Sequence, residues 1–403
     1  MLNQNQRLIL GVSVQVFIMG LVSLFTDISS EMIQSILPVF ILYIGGNAIV
    51  LGLISGVTEA IANILKGITG WLSDKFNKRK PFVVAGYTLS NLSKPFIALS
   101  PSWEYVLGLK SIDRFGKGLR TSARDALISY YATERGKTFG LHRAMDTLGA
   151  AIGSLLAFFF LYLSWTYSQI IFFSIFPGIL AISLILIIKD VDPSELDKIS
   201  DFSKQSIKDD KKANKNLVKL IIILGVIEFA SLNIVFLQIR ALNFIPMEYF
   251  IPILYLVSNL IYALFSPLTG TLSDKIGRKP VIIIGLSILL LCCIILAFPI
   301  EISLYSILLI FIIFIMYGYY LASVDPISRA YIADLVGKNK RGRAYGYYYL
   351  SVGLISLGES FIFGLIYGLF SFVWAFIYIS ILLSICIVIF SITDFSKIIH
   401  KDK

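Results

Sequence analysis

The sequence predicts an all-α membrane protein of twelve transmembrane helices in two pseudo-symmetric six-helix bundles. Three observations predict it. First, 57% of the 403 residues are hydrophobic and only 15% are charged, with a mean hydropathy of +0.82, far outside the range of soluble domains. Second, segments such as Leu217–Phe229, Val281–Phe298 and Ile302–Tyr320 carry almost no charge, and a spanning helix needs about 20 such residues. Third, the chain repeats itself at a distance of 200 residues: Ile68-Thr69-Gly70-Trp71-Leu72-Ser73-Asp74-Lys75 returns as Leu268-Thr269-Gly270-Thr271-Leu272-Ser273-Asp274-Lys275. Each copy leads into a basic cluster, a proline and a new apolar run, so the chain reads as two related halves.

The expected spans lie near 8–43, 48–72, 81–99, 103–127, 138–162 and 168–188 in the first half, and near 217–242, 248–272, 280–298, 302–327, 344–369 and 373–392 in the second. The first is too long for a straight crossing, and Pro38 is expected to bend its outer part. The domain division is 1–188, a linker over 189–216, and 217–403 with a short tail. From Lys189 to Lys219 the chain has eight Lys against seven Asp and Glu, a solvated stretch to which no chemistry is assigned. Paired small residues, Gly52 and Gly56, Gly149 and Gly153, Gly364 and Gly368, allow helix backbones to approach closely.

Charge placement sets the orientation. Lys75–Lys80, Arg135–Lys137, Lys275–Lys279, Lys338–Arg343 and Lys397–Lys403 are basic. The alternate loops Gly45–Val50, Ser100–Glu104, Leu163–Ser168, Phe244–Glu248 and Pro299–Ser303 hold no Lys or Arg. That alternation puts both termini in the cytoplasm of a plasma-membrane protein. It also assigns the net charge of +10 to lipid headgroups rather than nucleic acid. Arg7 alone precedes the first apolar run and no cleavage site follows, so a removable signal is not expected. Cys292, Cys293 and Cys386 lie inside apolar segments and read as packing residues.

Gly70, Leu72, Asp74 and Lys75, followed by Lys78, Arg79 and Lys80, resemble the loop signature of the major facilitator superfamily. Asp113-Arg114-Phe115-Gly116-Lys117-Gly118-Leu119-Arg120 in span four, Gly140 to Gly149 in span five and Thr26 to Met32 in span one resemble a prokaryotic efflux and permease subgroup of it. The resemblance covers essentially the whole chain. It implies a secondary transporter working by alternating access, with a small-molecule substrate bound near the bilayer midplane, coupling to a proton or ion gradient and no bound cofactor. It also implies a conformational latch made of Gly70, Asp74, Arg79 and Arg124 in the first half and of Gly270, Asp274, Arg278 and Arg329 in the second, with Asp74 near Arg124 and Asp274 near Arg329. Arg114 matches the span-four arginine that the superfamily links to proton transfer, while Lys117 replaces a neutral polar residue. Following Gly153 with Ser154 departs from the antiporter branch, which has proline there, and predicts a straighter helix five.

Charges at membrane depth are costly and mark functional positions. Asp27 and Glu31 share a helical face, where two carboxylates repel and suit proton binding. Lys110, Arg114 and Lys117 form a stripe that must avoid lipid, with Asp113 and Lys94 adding to it and Asp27, Glu31 or Asp146 as facing carboxylates. His142 and Asp146 are an i, i+4 pair suited to a proton relay or to a plain hydrogen bond. Glu59 and Lys66 lie seven apart in span two, Asp325 and Arg329 are expected to lock together, and Glu359 has no evident local partner. The proton-coupling candidates are therefore Asp27, Glu31, Arg114, Asp146 and His142; the substrate candidates are Lys94, Lys110, Asp113, Lys117, Glu228 and Glu359. A basic cavity suits an anionic or zwitterionic molecule. Export by proton antiport is the leading expectation and coupled uptake of an organic anion the second; a non-transporting receptor ranks below both. No P-loop, HExxH or Cys/His metal spacing supports an enzyme, there is no nucleic-acid or metal site, and a monomer is expected.

Overall fold

The computed structural model describes residues 8–9, 12–75, 78–132, 134–190, 211–245, 247–299, 302–336 and 341–393. Its helices are α1 Val14–Gln34, α2 Leu37–Tyr43, α3 Ala48–Lys75, α4 Lys80–Ile97, α5 Trp103–Tyr131, α6 Arg135–Tyr162, α7 Tyr167–Phe173 and α8 Ile175–Ile187. They continue as α9 Lys211–Phe229, α10 Ile234–Ala241, α11 Ile251–Ile276, α12 Arg278–Ala297, α13 Leu304–Leu335, α14 Arg341–Leu369 and α15 Phe372–Ile392. The twelve expected spans are all helical, three of them as broken pairs: α1 with α2, α7 with α8, and α9 with α10.

By length and apolarity, ten of these segments qualify as membrane-crossing among the described residues. The two that fall short, α4 and α5, carry buried charge, Lys94 on α4 and Lys110, Asp113 and Arg120 on α5, which lowers their hydropathy. The first span begins later than expected. Leu8–Ile9 (β1) and Val12–Ser13 (β2) pair antiparallel, and Ser13 then caps α1 by accepting from the Val16 N–H at 3.4 Å. It ends earlier too, at Gln34, and the chain bends through Ser35 and Ile36 before α2, with Pro38 in the first turn of α2 where its missing N–H costs nothing.

Residue contacts divide the chain into two units, Met1–Phe40 with Ile61–Gln205, and Ile41–Ala60 with Ser206–Lys403. Helix α3 therefore contributes residues to both. In the first unit, close approach depends on glycine. A Cβ on Gly149 would sit 2.5 Å from the Leu24 carbonyl oxygen and one on Gly153 2.6 Å from that of Ile28, which brings α6 against α1. Gly86 and Gly116 notch α4 and α5 into each other, each Cβ position lying 2.6 Å from the other's carbonyl oxygen. Helix α6 runs unbroken past Ser154. Val16, Met19, Val83, Tyr87, Leu127 and Ile185 fill the core where α1, α4, α5 and α8 meet.

In the second unit Gly285 of α12 faces Ser323 and Val324 of α13, and Gly318 of α13 lies against the Ser258 carbonyl of α11. The start of α3 packs on α14 through Gly52, Gly56, Gly364 and Gly368, with the Gly52 and Gly364 Cβ and Cα positions 3.2 Å apart. The three cysteines are buried and free, as packing residues should be.

Candidate functional site

The first unit gathers its charges on one face of α5. Val106, Lys110, Asp113, Arg120 and Leu127 are buried, while Ile112 and Phe115 turn outward, 45% and 44% exposed, as lipid contact requires. The Gly86–Gly116 notch brings Ser90 onto Asp113, and Ser90 Oγ donates to its Oδ1 at 2.6 Å. Asp113 Oδ2 faces Lys110 Nζ at 3.5 Å and Arg114 Nε at 3.8 Å. Lys94, wholly buried, lies within electrostatic reach of Asp113 and donates to Asn91 Oδ1 at 2.9 Å; Asn91 in turn donates to Thr26. Arg114 also donates to Gln34 Oε1 at 3.1 Å.

A second set lies where α1, α5 and α6 meet. Asp27 has Asp146, Lys117, Arg120 and Arg124 as charged neighbours. The carboxylate facing Asp27 thus comes from α6 across the Gly149 contact, whereas Glu31 lies in the field of Lys110. His142 Nδ1 is 3.5 Å from Asp146 Oδ2 and its Nε2 shares a hydrogen bond of 2.9 Å with Ser23 Oγ. Ser23 also meets Tyr87 OH at 3.1 Å and accepts weakly from Arg124 at 3.5 Å, while Arg124 pairs with its neighbour Asp125. Arg120 is 4% exposed, its guanidinium centre 4.2 Å from the Tyr87 ring centroid, and its Nε and Nη1 lack a hydrogen-bond partner. Asp146 Oδ1 is likewise buried and without one.

Ser23, Tyr87, Ser90 and Asn91 escaped sequence reading because neutral polar residues at membrane depth look like packing. Only the Asn91–Lys94 spacing on one helix turn carried a local signal.

The second unit is different. Tyr262 and Arg329 both reach Asp325, at 2.8 and 2.6 Å, so the expected Asp325–Arg329 lock forms. Arg329 is held there rather than by Asp274, which pairs with Arg278 at 2.5 Å because the two lie on adjoining helix ends one turn apart. Arg278 also meets Asp334 at 2.9 Å, a partner at the end of α13 that no local pattern announced. A Cβ on Gly270 would meet open space. In the first copy the side chains of Gly70 and Asp74 lie outside the described residues. There the Arg79 and Lys80 N–H groups donate to Asp190 at 3.2 and 3.0 Å, an anion at the start of α4.

Arg240 stacks on Phe372 at 3.8 Å and donates to the Leu296 and Phe298 carbonyls, closing the C-terminal end of α12. Glu228 sits at the last turn of α9 and Glu359 deep in α14. Ser360 Oγ donates to Glu359 Oε2 at 2.6 Å, while Oε1 is buried without a partner. Lys66 donates to Asn63 at 2.8 Å. Tyr317 and Tyr320 are buried and Tyr347 is 48% exposed, so the tyrosine run does not share one environment. A separate cavity of about 390 Å³, lined by Ala98, Trp165, Phe172 and Phe176 among others, has no charged group and stands apart from these sets.

Two bundles of membrane-crossing helices with paired interior charges define a secondary transporter rather than an enzyme. The family model described as Major Facilitator Superfamily matches residues 19–260 and 250–397. An uncharacterized MFS-type transporter of Methanocaldococcus jannaschii is 38% identical over 372 residues, covering 90% of each chain. The chain belongs to the major facilitator superfamily. Among solved structures, the nucleoside transporter NupG matches at TM-score 0.75 and 14% identity, covering 94% of this chain and 98% of its own. A POT family transporter in complex with 5-aminolevulinic acid matches at TM-score 0.73 and 14% identity, covering 96% of each.

Proposed function

We propose that this transporter exports a small amphipathic anion or zwitterion in exchange for protons, by alternating access in the plasma membrane, as a monomer with both termini in the cytoplasm. The observation that carries the substrate class is Arg120: a buried guanidinium with two nitrogens lacking acceptors, in a first unit whose interior holds more cations than carboxylates. Buried N–H donors without acceptors are costly, and a carboxylate or phosphate oxygen would complete them. Lys94, Lys110 and Lys117 supply the surrounding positive field, with Asp113 holding the first two in place.

Proton sensitivity is assigned to Asp27, Glu31, Asp146 and His142, with Arg114 tuning it. The Asp27–Asp146 juxtaposition supports this, since binding one proton there relieves a like-charge contact. Gly70, Asp74, Arg79, Arg124, Gly270, Asp274, Arg278 and Arg329 form the latch of the cycle. In that reading the Asp274–Arg278–Asp334 set holds one state.

Uptake of the same class of solute is the second reading. It is favoured by the fold neighbours, one a nucleoside transporter and one a POT transporter holding the zwitterion 5-aminolevulinic acid. Inverted membrane vesicles separate the two. After an imposed pH jump, an exported anion accumulates inside inverted vesicles and leaves with the proton gradient collapsed; accumulation only in right-side-out vesicles establishes uptake instead.

A further inference from the structure

We propose that the cavity of about 390 Å³ in the first unit binds one membrane lipid whose headgroup carries no net charge. The cavity opens between the end of α4, at Ala98 and Leu99, and the start of the sixth span, at Trp165, Gln169, Phe172 and Phe176. It lies at the membrane face opposite the basic loops, since α4 begins at Lys80 and neither 98–104 nor 163–168 holds Lys or Arg. Its volume is that of a small-molecule site.

One wall is built before any ligand arrives. Ser164 takes a φ of 63°, in the left-handed region, where a non-glycine residue stays only if its surroundings fix it. The Ser164 and Trp165 N–H groups donate to the Leu161 and Phe160 carbonyls, each at 2.9 Å. That turn folds Trp165 back onto Phe160, with the rings stacked at 4.4 Å and Phe173 edge-on to Phe160 at 4.9 Å. Thr166 and Gln169 then close a capping box at the start of α7. Gln169 Oε1 accepts the Thr166 N–H at 2.9 Å, which leaves the amide N–H groups of Gln169 as donors at the rim.

Polarity falls with depth here as it does along a lipid. Ser168 and Gln169 stand at the interface, while Phe172 and Phe176 carry the lining inward as exposed apolar surface. Phe176 is seven residues beyond Gln169, about 10 Å along the axis. An ester or ether oxygen at the glycerol level accepts from the Gln169 amide, and the hydrocarbon chain packs on the rings below it. No charged group lines the cavity, and the acid at that face, Glu104, is exposed. An anionic headgroup therefore meets no cation there and is repelled by a like charge.

The second repeat shows that the fold does not force the cavity. There the corresponding ends, of α12 and α15, are joined by Arg240, which donates to the Leu296 and Phe298 carbonyls at 3.2 and 2.9 Å and stacks on Phe372 at 3.8 Å. The residue 200 positions before Arg240, the repeat distance of the chain, is Phe40. Phe40 meets the Tyr167 ring at 6.5 Å and has no donor with which to tie the two helix ends together.

The inference is independent of the transported substrate and is tested on the purified full-length protein in detergent. Trp165 is kept as the single tryptophan by replacing Trp71, Trp103 and Trp374 with Phe. Phosphatidylcholine or phosphatidylglycerol with brominated chains is then titrated in. The phosphatidylcholine is expected to quench Trp165 to saturation at one lipid per protein, and the phosphatidylglycerol to bind more weakly. Ala98→Phe, which fills the cavity, is expected to abolish the saturable phase. Gln169→Glu keeps an oxygen for the Thr166 N–H but loses the donors, and is expected to weaken binding about three- to tenfold, as the loss of one hydrogen bond does. Monodisperse size-exclusion profiles establish that both variants fold. Quenching that grows without saturating, or that is unchanged in Ala98→Phe, marks annular lipid only and overturns the proposal. Equal or tighter binding of phosphatidylglycerol overturns it as well.

Discussion

The two units use one packing device for opposite electrostatics. In the first, Gly86 of α4 receives Gly116 and Arg120 of α5; in the second, Gly285 of α12 receives Tyr320, Ser323 and Val324 of α13. Around the first notch lie Lys94, Lys110 and Arg120 with one carboxylate among them, Asp113, which Lys110, Lys94 and Arg114 surround. Around the second lie tyrosines, and the charged neighbours set against the carboxylates beyond them, Glu228 and Glu359, are other acids. Backbone shape is thus conserved between the repeats while interior charge is not. On the proposed reading the first unit holds an anion among more cations than carboxylates, while in the second Glu228 and Glu359 lie in the field of other acids.

The comparison breaks most visibly at Asp113. Replacing it with Asn leaves Lys110, Lys94 and Arg114 buried without their shared counter-charge, an expected loss of about 3–5 kcal/mol, the cost of unpairing a buried ion pair. Thermal unfolding of the detergent-solubilised protein should drop sharply or no folded protein should be recovered. Adding Lys110→Met should restore part of the loss, because one of the stranded charges is then gone. If Asp113→Asn melts like wild type, the cluster is hydrated rather than internally balanced.

A smaller effect separates the two glycine notches. A Cβ at Gly86 would strike backbone, the Gly116 oxygen at 2.6 Å and the Arg120 nitrogen at 2.8 Å, which cannot step aside. At Gly285 it meets the Ser323 Cβ at 2.8 Å, which is fixed to its backbone, and the Val324 Cγ2 at 3.1 Å, which can turn, and no backbone atom closer than the Tyr320 oxygen at 3.5 Å. Gly86→Ala is expected to cost about 1–3 kcal/mol as overpacking and Gly285→Ala less. Gly270→Ala, facing open space, should leave the melting temperature unchanged. Equal losses at Gly86 and Gly285 would mean that the notches are equivalent.

The number and order of spans were legible in the sequence because twelve apolar runs and a repeated loop leave little choice of fold. The charged face of α5 was legible from spacing. What was not legible depends on which helices touch. Asp27 shares a face with Glu31, yet the acid set against it is Asp146, because Gly149 lets α6 approach α1 at that level. Glu59, in sequence a companion of Lys66, contributes to the field of Glu228 and Glu359 because the first part of α3 packs on α14. Ser23, which joins Tyr87, His142 and Arg124, is a lone serine in an apolar run and carries no pattern of its own. The short β1–β2 pairing was missed for the same reason, since six residues of mixed polarity continue an apolar run smoothly into α1.

The smallest expected effect on stability is at Tyr317. Phenylalanine there removes the hydrogen bond to the Leu232 carbonyl at the α9–α10 break, worth about 0.5–1.5 kcal/mol net. The variant should fold with a slightly lowered melting temperature. An unchanged melting temperature would mean that this hydrogen bond adds nothing net to stability.

The account stands most directly on Arg120. In proteoliposomes loaded with a pH-sensitive dye, a panel of carboxylate- and phosphate-bearing amphiphiles is added to wild type and to Arg120→Gln. The account predicts that at least one such anion drives proton movement through wild type, that Arg120→Gln loses the response, and that neutral analogues are inactive in both. Proton movement driven equally well by neutral analogues, or by the anion through Arg120→Gln, would contradict it.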